Sequence, residues 1–92
     1  MYQITDYSYN QAKKLDVKIK PSTKKNKKID VLNKDDKVIA SIGHKAYLDY
    51  PNYIRKEGLL YANERRRLYG IRHKKDISVV GSTGWWAKKI LW

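Results

Sequence analysis

Two β-prone runs around a polar turn constrain this chain more than any other feature. Ile29-Asp30-Val31-Leu32 is followed by Asn33-Lys34-Asp35-Asp36, and after Lys37 by Val38-Ile39-Ala40-Ser41-Ile42-Gly43. β-Branched residues favour pleated backbone, and Asn and Asp favour tight reversals. The pattern predicts a hairpin with a four-residue turn, with Asp30 as the one polar interruption of its first strand.

The flanks divide into short pieces. Asp6 or Ser8 is the expected cap of a helix through Gln11, Ala12 and Leu15. Val17 and Ile19 then alternate with Lys18 and Lys20, the period of a short strand, which Pro21-Ser22 ends. Residues 23–28, Thr-Lys-Lys-Asn-Lys-Lys, form a basic loop with no apolar member. After the hairpin the chain turns helical. Pro51 suits a first helical position, because its missing N–H costs nothing there. That helix passes Tyr53 and Ile54 and pauses near Gly58. A second stretch is expected from Leu59 to about Tyr69, with Leu60, Asn63, Glu64 and Leu68 near one face and Gly70 just past its end. Ile71 to Asp76 adds a further turn, and Ile77 to Val80 is a short apolar run. Gly81-Ser82-Thr83-Gly84 breaks the chain, and Ser82 or Thr83 caps a last helix from Trp85 to about Leu91, with Trp86 and Ile90 on one face. The expected fold class is α+β: a hairpin or small antiparallel sheet with two or three short helices and basic extensions. Residues 1–28 are expected as a basic N-terminal arm carrying a short helix and strand, and residues 29–92 as the compact domain.

Length and composition bound what this fold can do. Ninety-two residues allow one thin core. No cysteine is present, which removes disulfides, thiolate nucleophiles and thiolate zinc sites. Eight Tyr and three Trp argue against a disordered tail. The absence of Phe means that every aromatic ring has a polar tip, which suits half-buried positions and interfaces. No apolar run approaches a membrane span, and the opening Met-Tyr-Gln-Ile-Thr-Asp has no signal-peptide core. An intracellular protein, or one assembled inside a cell, is expected.

Enzyme motifs are weak. Ser22-Thr23-Lys24-Lys25 matches Ser-x-x-Lys, but it lies in the basic loop with no companion motif. Gly81 to Gly84 with Lys88-Lys89 lacks phosphate-loop spacing. His44 and His73 stand 29 residues apart and would need carboxylates such as Asp49 or Asp76 to hold a metal. Surface or backbone-bonded histidines are the plainer reading, and a small nuclease using either one is the least favoured option. No catalytic, metal-ligating or cofactor-binding residue is therefore assigned, and no cofactor is expected.

Charge is the main functional signal. Twenty-one Lys and Arg against nine Asp and Glu leave a net charge of +12. Most cations fall in two clusters. Lys13, Lys14, Lys18, Lys20, Lys24, Lys25, Lys27 and Lys28 form a lysine-only set, suited to non-directional attraction. Arg65, Arg66, Arg67, Arg72, Lys74 and Lys75, with His73 among them, form an arginine-rich set whose planar forks bind phosphate or carboxylate in pairs of hydrogen bonds. On a helix Arg65, Arg66 and Arg67 fan over about 200°, so one is expected to pair internally, with Glu57, Glu64 or Asp49. Both clusters are candidate sites for a polyanion or an acidic partner, and composition does not separate the two. Tyr47, Tyr50 and Tyr53 recur every third residue; they could stack bases, although packing of hairpin on helix is preferred. Trp85, Trp86 and Trp92 are candidate docking residues, and Trp92 is expected in a groove of its own domain or of a neighbouring subunit.

Several segments taken together resemble a group of short, functionally uncharacterised proteins of tailed bacteriophages and large eukaryotic DNA viruses. They include Lys20-Pro21-Ser22, Lys28-Ile29-Asp30-Val31, Ala40-Ser41-Ile42-Gly43, Asp49-Tyr50-Pro51-x-Tyr53, Tyr61-Ala62-x-Glu64-Arg65-Arg66, Tyr69-Gly70-Ile71-Arg72-His73 and Gly84-Trp85-Trp86-Ala87. The resemblance implies a viral source and no catalytic residues; His44 stands where it implies a small residue. The expectation is a non-enzymatic virion component that docks on acidic capsid protein or packaged DNA, found in the particle and, during assembly, in the host cytoplasm. Its partners would be a capsid or other virion protein and, second, DNA, with no membrane and no small-molecule substrate. The alternative is a free nucleic-acid-binding protein acting through Arg65–Lys75 and the Lys13–Lys28 arm.

Overall fold

In a computed structural model, which describes residues 2–92, the chain is a small α+β fold of one three-stranded antiparallel sheet and five helices. The strands β1 (Lys18–Pro21), β2 (Ile29–Leu32) and β3 (Val38–Ile42) lie in the order β1-β2-β3. The expected hairpin is β2–β3. Asn33 closes its turn, its side-chain oxygen accepting from the N–H groups of Asp35 at 2.9 Å and Lys37 at 3.0 Å. Lys37 thereby joins the four expected turn residues. Val31 lies opposite Ala40 and Leu32 opposite Val38, so Ile39 is the extra residue of a β-bulge. The bulge breaks the alternation, which is why Val38 and Ile39 are consecutive and both exposed.

The segment 1–28, expected as an arm, is built into the domain through its described residues. Helix α1 (Asp6–Lys14) is capped by Thr5, one residue before the expected Asp6; the Thr5 hydroxyl accepts the Ser8 N–H at 3.3 Å. Ser8 is buried instead and donates its hydroxyl to the Ile90 carbonyl at 2.9 Å. Gln11 donates to the Lys89 carbonyl at 3.0 Å. These bonds dock α1 on α5 (Thr83–Leu91). Strand β1 then pairs with β2, Ile19 opposite Val31 and Lys20 opposite Asp30. Joining the sheet lets Leu15, Val17 and Ile19 pack against the core, which a solvated arm would leave in water.

Helix α2 (Tyr50–Glu57) starts at Asp49, whose side chain accepts the Asn52 N–H, and Pro51 occupies its first turn behind Tyr50. Gly58, at φ 93°, separates it from α3 (Leu59–Arg72). One expectation for α3 is corrected. Gly70 lies inside the helix, which continues to Arg72 and is followed by the short α4 (Lys74–Ile77). The face through Leu60, Asn63 and Glu64 is exposed, whereas Ala62 is buried and Arg65, Arg66, Leu68 and Tyr69 are half-buried. Flat guanidinium groups cover tyrosine rings there: Arg65 lies 5.4 Å from the Tyr53 ring centre and Arg66 lies 4.6 Å from that of Tyr50. Hydropathy assigns arginine to solvent and cannot register this packing.

The core joins Ile29 and Val31 of β2, Ile42 of β3 and Ile90 and Leu91 of α5, all almost fully buried. Ser82 caps α5, accepting the Trp85 N–H at 3.1 Å, and donates to the Asp76 carbonyl at 2.8 Å. The entry of α5 is tight, since a Cβ on Gly84 would lie 2.5 Å from the Asp76 Cβ.

Candidate functional site

A cleft of about 400 Å³ opens between the β3–α2 loop, α2, α3 and the end of α5. Loop residues Gly43, His44, Tyr47 and Leu48 form one wall. Helix α3 forms the facing wall with Arg65, Leu68, Tyr69 and Arg72, followed by His73. Tyr53, Ala87, Leu91, Trp92 and the Lys28 stem complete the lining. Among the described residues no Asp or Glu side chain lines it, although the chain has nine.

A ladder of rings stiffens the helical wall. Trp92 stacks on Tyr69 at 4.4 Å between ring centres and 10° between planes. Tyr69 meets His73 at 4.4 Å, and Tyr53 meets Trp92 at 6.0 Å. Trp92 is thus docked in its own domain, 9% exposed, one of the two placements expected for it. Trp86 packs on the core and meets Trp85 edge to face at 4.8 Å, and both are half-buried. Of the regularly spaced tyrosines, Tyr50 and Tyr53 pack between elements. Tyr47 stands 70% exposed at the cleft, 5.3 Å from the His44 ring.

The two histidines, far apart in sequence, line this one cleft. His44 Nδ1 accepts the Ala46 N–H at 3.0 Å, which leaves Nε2 as its donor position. His73 Nδ1 lies 3.9 Å from an Asp76 carboxylate oxygen, too long for a hydrogen bond. Among the described residues no three His, Asp or Glu side chains gather to hold a metal ion.

The cations expected as one binding set have different fates. Lys28 is a correction. It is buried, and its ammonium donates to Asp49 at 3.0 Å, so it is unavailable to an outside polyanion. Burial of an ammonium demands a partner, and Asp49, 21 residues away, is that partner. Lys18 pairs with Asp36 at 2.8 Å on the surface. Arg67 pairs with Glu64, which was one of the expected internal pairs, and holds the Glu64 carboxyl below its ordinary range. Lys13, Lys14, Lys20, Lys24, Lys25, Lys27, Arg65, Arg66, Arg72, Lys74 and Lys75 make no ion pair among the described residues. Lys88, outside both clusters, has a lowered pKa because it is partly desolvated and lies near Arg66 and Lys89.

The Ser-x-x-Lys match is structural. Ser22 is buried, its hydroxyl accepts the Lys24 N–H at 3.1 Å, and it shares a hydrogen bond with Asp30. Asp30 also accepts from Ser41 at 2.7 Å. Burial alone would raise the Asp30 pKa, but these bonds and the charges of Lys24 and Lys20 outweigh it and hold the carboxyl below its usual range.

The cleft was not legible in the sequence. The sequence marks Lys28, His44, Tyr47, Tyr53, Arg65, Arg72, His73 and Trp92 for separate reasons and does not bring them together, whereas Tyr69 and Leu68 read only as helix residues. The signal available in hindsight is the Tyr69–His73 spacing of four, which puts two rings on one helix face. No known family model, curated protein or solved structure matches the chain.

Proposed function

We propose that this protein is a non-enzymatic nucleic-acid-binding domain, with the cleft between the β3–α2 loop and α3 as its centre. One observation carries the reading: Arg65, Arg72, His44 and His73 converge on a cavity that is walled by aromatic rings and, among the described residues, lined by no Asp or Glu side chain. An acidic protein surface would be satisfied by charge alone. Rings beside cations add the second element that nucleic acid offers, a flat base next to each phosphate. Lys24, Lys25 and Lys27, unpaired among the described residues, lie in the loop joined to the cleft wall by the Asn26–Lys45 hydrogen bond and suit further phosphates.

The test is binding of fluorescent DNA and RNA oligonucleotides as a function of salt. Affinity should fall linearly on a log–log plot, with a slope set by the number of phosphates neutralised, and should persist at about 150 mM salt. Loss of all binding there, with equal binding of polyglutamate at low salt, would leave only charge and refute the reading.

A second reading, the capsid-associated component suggested by the viral resemblance, is favoured by a separate observation. Leu59, Leu60, Ile71, Val79 and Val80 are all more than half exposed, which suits a protein partner. Two of its supports are weaker, since α1 and β1 fix part of the lysine segment to the domain and Trp92 packs internally. Proteomics of purified particles with copy number tests it, and a sub-stoichiometric signal counts against it.

A further inference from the structure

We infer that the cleft holds one unpaired nucleotide, its phosphate on the Arg72 and His44 side chains and its base against Tyr47, so that the domain selects single strands over duplex. The inference rests on the nucleic-acid reading and specifies what the cleft takes.

Size comes first. A cavity of about 400 Å³ lies within the range of small-ligand pockets and accepts one nucleotide, but not a stacked base pair. Chemistry comes second. Arg72 is exposed and has no ion pair among the described residues, so its paired donors are free for a phosphate. His44 has its Nδ1 occupied by the Ala46 N–H, which fixes the tautomer that presents an Nε2–H donor. Aromatic supply comes third. Tyr69 and Trp92 are already stacked on each other, and Tyr53 is covered by Arg65. Tyr47, at 70% exposure, is the ring with a free face. An exposed tyrosine beside an anion-ready cleft is what a base entering with its phosphate requires, and a duplex, whose bases are stacked inside, cannot supply one.

A phosphotyrosine would also combine a ring with a phosphate. The nucleotide is favoured because Lys24, Lys25 and Lys27, none of them in an ion pair among the described residues, lie in the loop that the Asn26 carbonyl joins to the Lys45 N–H beside His44, so a ligand with phosphates flanking the bound unit meets more cations than one modified side chain could reach.

The experiment is calorimetric titration of the intact protein with deoxyadenosine 5′-monophosphate, deoxyadenosine, inorganic phosphate and O-phosphotyrosine at about 150 mM salt, with competition against a fluorescent oligonucleotide. The monophosphate should bind roughly tenfold or more tighter than either deoxyadenosine or phosphate, since base and phosphate contacts act together. It should displace the oligonucleotide. Tyr47→Ala and Arg72→Ala, both exposed and outside the core, should each weaken single-stranded binding by about tenfold, and the Tyr47→Ala loss should be several-fold larger on single strands than on duplex. Equal binding of phosphate and nucleotide, tighter binding of phosphotyrosine, or oligonucleotide binding untouched by both variants would overturn the inference. The last result would leave the nucleic-acid reading standing, whereas absence of oligonucleotide binding at this salt would remove that reading itself.

Discussion

Lys28 and Asp49 form a 3.0 Å ion pair with side chains only 4% and 1% exposed. The same Asp49 oxygen accepts the Tyr2 hydroxyl at 2.6 Å, and its other oxygen accepts from Asn52 at 2.7 Å. One carboxylate therefore ties the start of the chain, the residue before β2 and the first turn of α2. Its neighbourhood disfavours a tyrosinate: burial, the hydrogen bond to Asp49 and the Asp49 charge all push the Tyr2 pKa well up.

Breaking this pair on one side should be costly. Lys28→Met leaves an uncompensated buried carboxylate and should destabilise by about 3–5 kcal/mol. Asp49→Asn, which preserves the helix cap, should cost a similar amount by stranding the ammonium. The double variant should cost less than the sum of the two, as a double-mutant cycle in urea would show. Additive losses would mean that the pair is not the stabilising unit.

Asp30 should make part of the acid sensitivity. Its native pKa lies below the ordinary aspartate value, so the unfolded chain binds the proton more readily than the native one. The resulting stability is present above about pH 4, the ordinary value, and is lost as pH falls through the lowered native pKa. Asp30→Asn should flatten that limb of the stability–pH profile relative to the parent chain, measured by urea unfolding between about pH 2 and 6.

Trp92 should be a structural residue before it is anything else. Trp92→Ala removes a ring stacked on Tyr69 and should cost about 3–5 kcal/mol, a large share of the stability of a domain this small. Trp92→Phe keeps a ring in the site and should cost clearly less. Near-native melting of the alanine variant would show that the ring ladder does not stabilise the fold.

Lys88 should be destabilising where it is. Its depressed pKa means that folding disfavours its charge, through partial burial and the nearby Arg66 and Lys89. Lys88→Met should raise Tm on the order of 2–4 °C at low salt, and the gain should shrink as salt screens the repulsion. Unchanged Tm at low salt would show that solvent already relieves it.

How much of this was legible depends on the range over which each feature is determined. The hairpin from Ile29 to Ile42, the stop at Gly58 and the Ser82 cap follow from neighbouring residues, because pleat, φ preference and capping act within a few positions. The Arg67–Glu64 pair lies within one helical turn and was equally accessible. Gly70 was misplaced because its helix-breaking tendency, worth about 1 kcal/mol, is weak enough for the surrounding fold to override.

The sequence by itself determined the α+β class, the order of the elements and a strong excess of positive charge. Only the tertiary structure decided which charges are free. Lys28 is consumed by Asp49 across 21 residues, Arg65 and Arg66 lie over tyrosine rings, and His44 and His73, 29 residues apart, line one cavity. Local preferences act on φ, ψ and turn chemistry, whereas desolvation depends on what the whole chain brings alongside a group. A cation is therefore visible in the sequence, and its availability to a partner is not.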